Sequence, residues 1–177
     1  MDIPATDGGE GPTEVLLNVG DDPFVMLFDA GHLAAHADDF VLSWGEVLDA
    51  IADALSRRGT RAGVVHDGFV QARPVGLTGV VAVGPDDSPF WGYRPGRTVP
   101  SHLIAGTKVA TRDLCVWGEW LAPDRFDLWT CYPGGPAPRE IHDPEIGLDE
   151  VDEAITFWSA HAIVVDRAHA DEMRLPG

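Results

Sequence analysis

Two apolar runs, Asp113 to Trp120 (DLCVWGEW) and Arg125 to Pro133 (RFDLWTCYP), flank the tetrapeptide Leu121-Ala122-Pro123-Asp124. Pro-Asp suits a tight turn, and runs rich in aromatic and β-branched residues suit strands, so the stretch predicts a β-hairpin. One register sets Leu114 opposite Tyr132, Val116 opposite Thr130 and Cys115 opposite Cys131; a slip of one residue separates the cysteines. Alternation places Leu114, Val116, Phe126 and Leu128 on one face and Cys115, Trp117, Trp129 and Cys131 on the other. Both faces are apolar, which predicts a central element of a sheet.

The remaining elements arrange themselves around that hairpin. Glu14 to Val19 and Phe24 to Asp29 read as two strands about a Gly20-Asp21-Asp22-Pro23 turn, and Gly63 to Val70 and Leu77 to Val83 as two more. His66 and Asp67 fall at an Asp-Gly pair, read as a tight turn. Ser43 to Arg58 is the clearest helix: Ser43 and Glu46 have capping-box spacing, Val47, Leu48, Ile51, Ala54 and Leu55 form one stripe, and Gly59 ends it. Leu148 to Val165 is a second amphipathic segment, with Val151, Ala154, Ile155, Trp158 and Ala162 on its apolar side. Ala30 to Phe40 is ambiguous; His32 and His36 share a face if it is helical, with Asp29 or Asp39 nearby, but no zinc signature accompanies them and no metal is expected. Gly84 to Gly96, with three prolines, and Gly134 to Asp143, with Pro136 and Pro138, read as loops. The expected fold is α+β: an antiparallel sheet of about five to six strands with two main helices in a single domain over 14–166, between a flexible acidic arm (1–13) and a polar tail (167–177).

The chain has 177 residues and is 45% hydrophobic, enough for one ordinary core without disulfide or metal. Two cysteines and an acidic N-terminus without signal-peptide character point to a cytoplasmic protein, and no apolar run approaches a membrane span. The net charge of −17 is unevenly spread: residues 1–60 hold 12 acids and 2 bases, residues 61–139 hold 7 and 8, and residues 140–177 hold 10 and 2. A polyanion is repelled by both flanks and tolerated only by the middle.

The middle block also holds the candidate chemistry. Lys108 is the only lysine. His102, Lys108, Thr111, Arg112, Thr130 and Tyr132 lie on or beside β elements that a hairpin can bring to one face. A histidine, cations, hydroxyls and a tyrosine suit metal-free RNA cleavage, which needs a base for the ribose 2′-OH, an acid for the leaving oxygen, and donors on the phosphate. On this reading His102 is base or acid, Lys108 and Arg112 hold the phosphate, Thr111 or Thr130 adds a hydrogen bond, and Tyr132 donates or stacks. Trp91 and Tyr93, interleaved with Arg94 and Arg97, offer a base-stacking and phosphate-binding loop, or else pin that loop to the core. His161 is a further candidate, with helix packing as its alternative. No cofactor is expected.

The run SHLIAGTKVATRDLCVWGEW…FDLWTCYPG resembles the C-terminal half of small bacterial ribonuclease toxins of the barnase, EndoU and RelE type, over residues of about 40–165. The resemblance implies one or two helices ahead of an antiparallel sheet that carries catalytic residues on its face. Two rival readings stand beside it. An acidic interaction protein, of immunity, antitoxin or nucleic-acid-mimic type, would meet a basic partner through Asp49 and Asp53, or Asp149, Asp152 and Glu153. A small-molecule pocket would be lined by Trp91, Trp117, Trp129 and Trp158. Clustered cations favour the enzyme; scattered, individually paired cations favour the interaction protein. The sequence holds no P-loop, no Gly-x-Gly-x-x-Gly, no Gly-x-Ser-x-Gly and no zinc-spaced Cys/His set.

Overall fold

Ser43 caps the helix around which the larger core forms. The computed structural model describes residues 12–19, 22–34 and 36–175. In chain order it contains β1 (Thr13–Val19), β2 (Asp22–Phe28), α1 (Ala30–Ala34), a 3-10 turn (Ala37–Asp39), α2 (Trp44–Arg58), β3 (Gly63–Val70), β4 (Gly76–Thr78), β5 (Val80–Ala82) and β6 (Phe90–Gly92). There follow β7 (Ser101–Ala105), β8 (Val109–Thr111), β9 (Asp113–Ala122), β10 (Arg125–Pro133), α3 (Val151–Ala160), β11 (His161–Val165) and α4 (Ala170–Met173). Two compact units result. One takes the described residues up to Leu77 together with Ala110–Pro136; the other takes Thr78–Val109 and the described residues from Ala137 onward.

The first unit is a five-stranded sheet in the order β1-β2-β10-β9-β3, packed against α2. The α2 capping box forms as the sequence requires: the Ser43 side chain accepts from the Glu46 amide, and the Glu46 carboxylate accepts from the Ser43 amide. Gly59 closes the helix at φ 75°, where only glycine sits without strain. Val47, Ile51, Ala54 and Leu55 are fully buried against Phe24, Met26, Phe28, Leu114, Val116, Phe126 and Leu128.

The 113–133 hairpin is central, and it uses both registers. Phe126 pairs with Trp120 and Leu128 with Gly118; beyond them a β-bulge at Trp129 shifts the pairing, so that Thr130 faces Trp117, Cys131 faces Val116 and Tyr132 faces Cys115. Cys115 and Cys131 therefore do not face each other, as in the slipped register. The bulge turns Cys131 onto the α2 side, among the core residues, while Cys115 keeps the opposite side, and both remain free thiols.

Several local expectations give way to tertiary context. The Asp67-Gly68 pair is mid-strand in β3, not a turn; a Cβ on residue 68 would lie 2.8 Å from Pro136 Cδ, so close approach, not turn geometry, requires glycine there. The expected strand 77–83 breaks at Gly79 into β4 and β5. The amphipathic segment 148–165 is helical only to Ala160. His161 is extended, and the β-branched run Ile163-Val164-Val165 continues as β11. The polar tail contains α4 with Ala170 buried, and Arg174 bridges to Gly92. Of the flexible arm, residues 1–11 lie outside the described residues, as do Gly20 and Asp21 of the first turn.

The second unit is a four-stranded sheet in the order β5-β11-β7-β6, and β4 with β8 makes a two-stranded pair. The α+β class holds, but the sheets are mixed: β2 runs parallel to β10, and β7 parallel to β11. Purely antiparallel pairing fails because long crossovers, which parallel neighbours need, separate both pairs in sequence.

Candidate functional site

The second unit gathers three of the candidate residues through one strand pair. Trp91 on β6 lies directly opposite His102 on β7, with ring centroids 5.1 Å apart. His142, from the loop after Pro138, meets the same indole edge-on at 5.2 Å. Two imidazoles thus flank one indole, which is 37% exposed.

The ring of His102 is fixed from behind. Its Nδ1 lies 2.8 Å from the His161 carbonyl. A carbonyl only accepts, so Nδ1 carries the proton and donates. In the neutral ring Nε2 is then the acceptor, and it makes no hydrogen bond among the described residues. His161 repeats the device. Its Nδ1 donates to the Phe157 carbonyl at 2.9 Å, and its ring stacks on Phe157 at 4.1 Å. Both histidines are therefore tethered to the C-terminal end of α3, where the helix leaves carbonyls without intrahelical partners.

Two arginines fix the loop that carries His142. Glu140 Oε1 accepts from Arg94 and, at 3.2 Å, from Arg97, while Arg94 Nε donates to Ser101 Oγ at 3.1 Å. Arg97 also reaches Asp143 at 4.0 Å. Glu140 and Ser101 are buried. From the other side, Trp158 of α3 donates its indole N–H to the Arg139 carbonyl at 3.1 Å. The loop 137–146 is thus anchored at Arg139, Glu140 and Asp143, which sets His142 beside Trp91.

The other sequence candidates fall elsewhere. Thr130 and Tyr132 stand on β10 in the first unit, Thr111 ends β8 and Lys108 lies in the turn before β8; β10, β8 and β7, which carries His102, belong to three different sheets. Thr111 Oγ1 accepts from the Asp113 amide at 3.0 Å, a local turn contact. Arg112 donates to the Gln71 carbonyl at 2.8 Å. Thr130 Oγ1 is buried without a hydrogen bond among the described residues. Tyr132 lies 6.1 Å from His36, ring to ring, and its side chain hydrogen-bonds Cys115. Tyr93 is 47% exposed, beside Arg94. Asp29, weighed as a partner for the histidine pair, instead accepts from the amides of Gly31 and His32.

Sequence reasoning missed His142, Glu140 and Ser101. The signal was present in part: two arginines three apart in a Pro-rich loop need an acid, and the only other Pro-broken loop of comparable length contains Glu140. Nothing in a single sequence couples those loops. Among the described residues, no group of His, Cys, Asp and Glu is arranged to hold a metal ion, and no helix is long and apolar enough to cross a membrane. No family model, no curated protein and no solved structure matches the chain.

Proposed function

We propose that the chain is a metal-independent ribonuclease-like protein acting through the second unit. The observation that carries the reading is the tethered ring of His102, whose Nε2 is presented beside an exposed tryptophan that a second imidazole, His142, also meets. In the reaction, His102 Nε2 takes the 2′-OH proton and the 2′-oxygen attacks phosphorus. The P–O5′ bond breaks, and protonated His142 supplies the proton to the leaving 5′-oxygen. The products are a 2′,3′-cyclic phosphate end and a free 5′-hydroxyl. Each proton transfer is worth roughly 10²- to 10⁴-fold in rate. Trp91 stacks on a base, and Arg97, 45% exposed in its side chain and 3.2 Å from Glu140, is a cation beside the His142 loop.

The test is cleavage of end-labelled RNA in EDTA by the wild type and by His102→Ala, His142→Ala and Trp91→Ala. Metal-independent cleavage that leaves cyclic phosphate ends, and falls at least about 10²-fold in either histidine variant, supports the reading. Absence of cleavage by folded wild type at high concentration removes it.

A second reading, an acidic interaction protein without catalysis, is favoured by one observation. Arg94, Arg97, Arg139 and Arg174 of this unit each lie within 4.0 Å of a carboxylate, so their charge is largely neutralised by the chain itself. Failure of the cleavage assay favours it.

A further inference from the structure

The outward face of α3 has no role in the chemistry above, yet it is built unlike the rest of the acidic surface. Asp152, Glu153, Thr156, Phe157 and Ala160 recur at helical spacing on one side, while Ala154 and Trp158 on the other are buried. With His161 these five residues line a groove of about 570 Å³. Its floor, from Phe157 and Ala160, is apolar. Its N-terminal rim, Asp152 and Glu153, is anionic. Neither acid joins an ion pair among the described residues. Their neighbour Glu150, by contrast, is shared with Arg139. Nearby in sequence, Leu148 is 96% exposed and Ile155 47% exposed.

The charge selects the occupant. RNA and an anionic membrane surface are repelled by the two unpaired carboxylates of the rim. A second copy of the chain, at net −17, is repelled as well. A purely cationic counter-ion would leave the apolar floor wet. What satisfies both parts is a segment with basic side chains for the rim and an apolar side chain for the floor, laid along the helix. We infer that the outward face of α3 docks a cationic, amphipathic segment of a partner protein. This does not rest on the ribonuclease reading, since no residue of the rim takes part in it.

The probe is a fluorescein-labelled Leu/Lys amphipathic helical peptide, with an oligolysine of equal charge as its comparator, followed by fluorescence anisotropy on the full chain. The expected result is saturable binding of the Leu/Lys peptide that is at least about tenfold tighter than that of oligolysine. It weakens at least about tenfold in Asp152→Asn/Glu153→Gln and in Ala160→Arg, which fills the groove from an exposed position and spares the core. Asp49→Asn/Asp53→Asn on α2 leaves binding unchanged. Equal losses in the α2 and α3 variants, equal affinity for oligolysine, or no binding would each overturn the inference, the first two by showing unspecific adhesion to an acidic protein.

Discussion

The Nδ1 of His102 and the backbone oxygen of His161 lie 2.8 Å apart, so a side chain on one strand reads the point at which α3 becomes β11. That contact dictates the tautomer. In solution, neutral histidine generally prefers the proton on Nε2; here it is held on Nδ1. Long-range proton–nitrogen correlation spectra of the neutral ring are expected to show a protonated Nδ1 and a bare Nε2 for His102. The opposite pattern would remove its role as a base through Nε2.

The Arg94–Glu140–Arg97 cluster makes a stability prediction. Glu140 is 9% exposed, and its removal leaves Arg94, 28% exposed in its side chain, facing a vacated site. Breaking such a pair from one side costs about 3 kcal/mol. Urea denaturation of Glu140→Ala is expected to show a loss of that order, and Arg94→Ala/Glu140→Ala a loss smaller than the sum of the single changes. Additive losses would mean that the two groups are energetically independent.

Glu46 gives the acid dependence a sign. Hydrogen bonds from the Ser43 backbone and side chain, then from Arg73, pull its carboxyl from 4.5 down to about 2. A depressed carboxyl binds its proton more readily in the unfolded chain. The stabilisation is therefore complete above about pH 4.5 and is lost as pH falls towards 2. Melting temperatures of Glu46→Gln should lie below wild type at neutral pH and converge with it at the acid end. A difference that stays constant with pH would contradict the assignment.

Burial pushes the Cys115 thiol up to about 11 and the Cys131 thiol up to about 12. Neither is nucleophilic near neutral pH. An aromatic disulfide reagent at pH 8 is expected to titrate no thiol in the native chain and both after denaturation. Rapid native labelling of either would show that the sheet opens around it.

Legibility in the sequence tracked how local each determinant is. The α2 cap needs only Ser43, Glu46 and Gly59, all within one helix, and these were readable. The hairpin needs one turn and two alternating runs, and it was readable as well. Its register was not, because the bulge at Trp129 is settled by what packs on each face, and each of the two candidate pairings was right for half of the hairpin. Gly68 looked like turn chemistry because the Pro136 that crowds it lies far along the chain. The site divides in the same way. His102 and Trp91 stood out by residue type and proximity. His142 and Glu140 did not, since their significance depends on a loop contact that no periodicity announces. Lys108, singled out on composition, lies in a turn, and Thr130 lies on β10, in a different sheet from His102.

The bridge from Gly92 to Arg174 has a consequence for solubility. Strand β6 is the rim of its sheet, and a bare rim invites foreign strands. Here Tyr93 donates to the Met173 carbonyl at 2.8 Å and Leu175 donates to the Trp91 carbonyl at 3.0 Å, so the chain's own late residues occupy those positions. Gly92 permits the approach, since a Cβ there would run into the Met173 backbone. The chain thereby shields one margin of the sheet from templating its own polymerisation, and a side chain grafted at Gly92 would strip that shield away beside an exposed tryptophan.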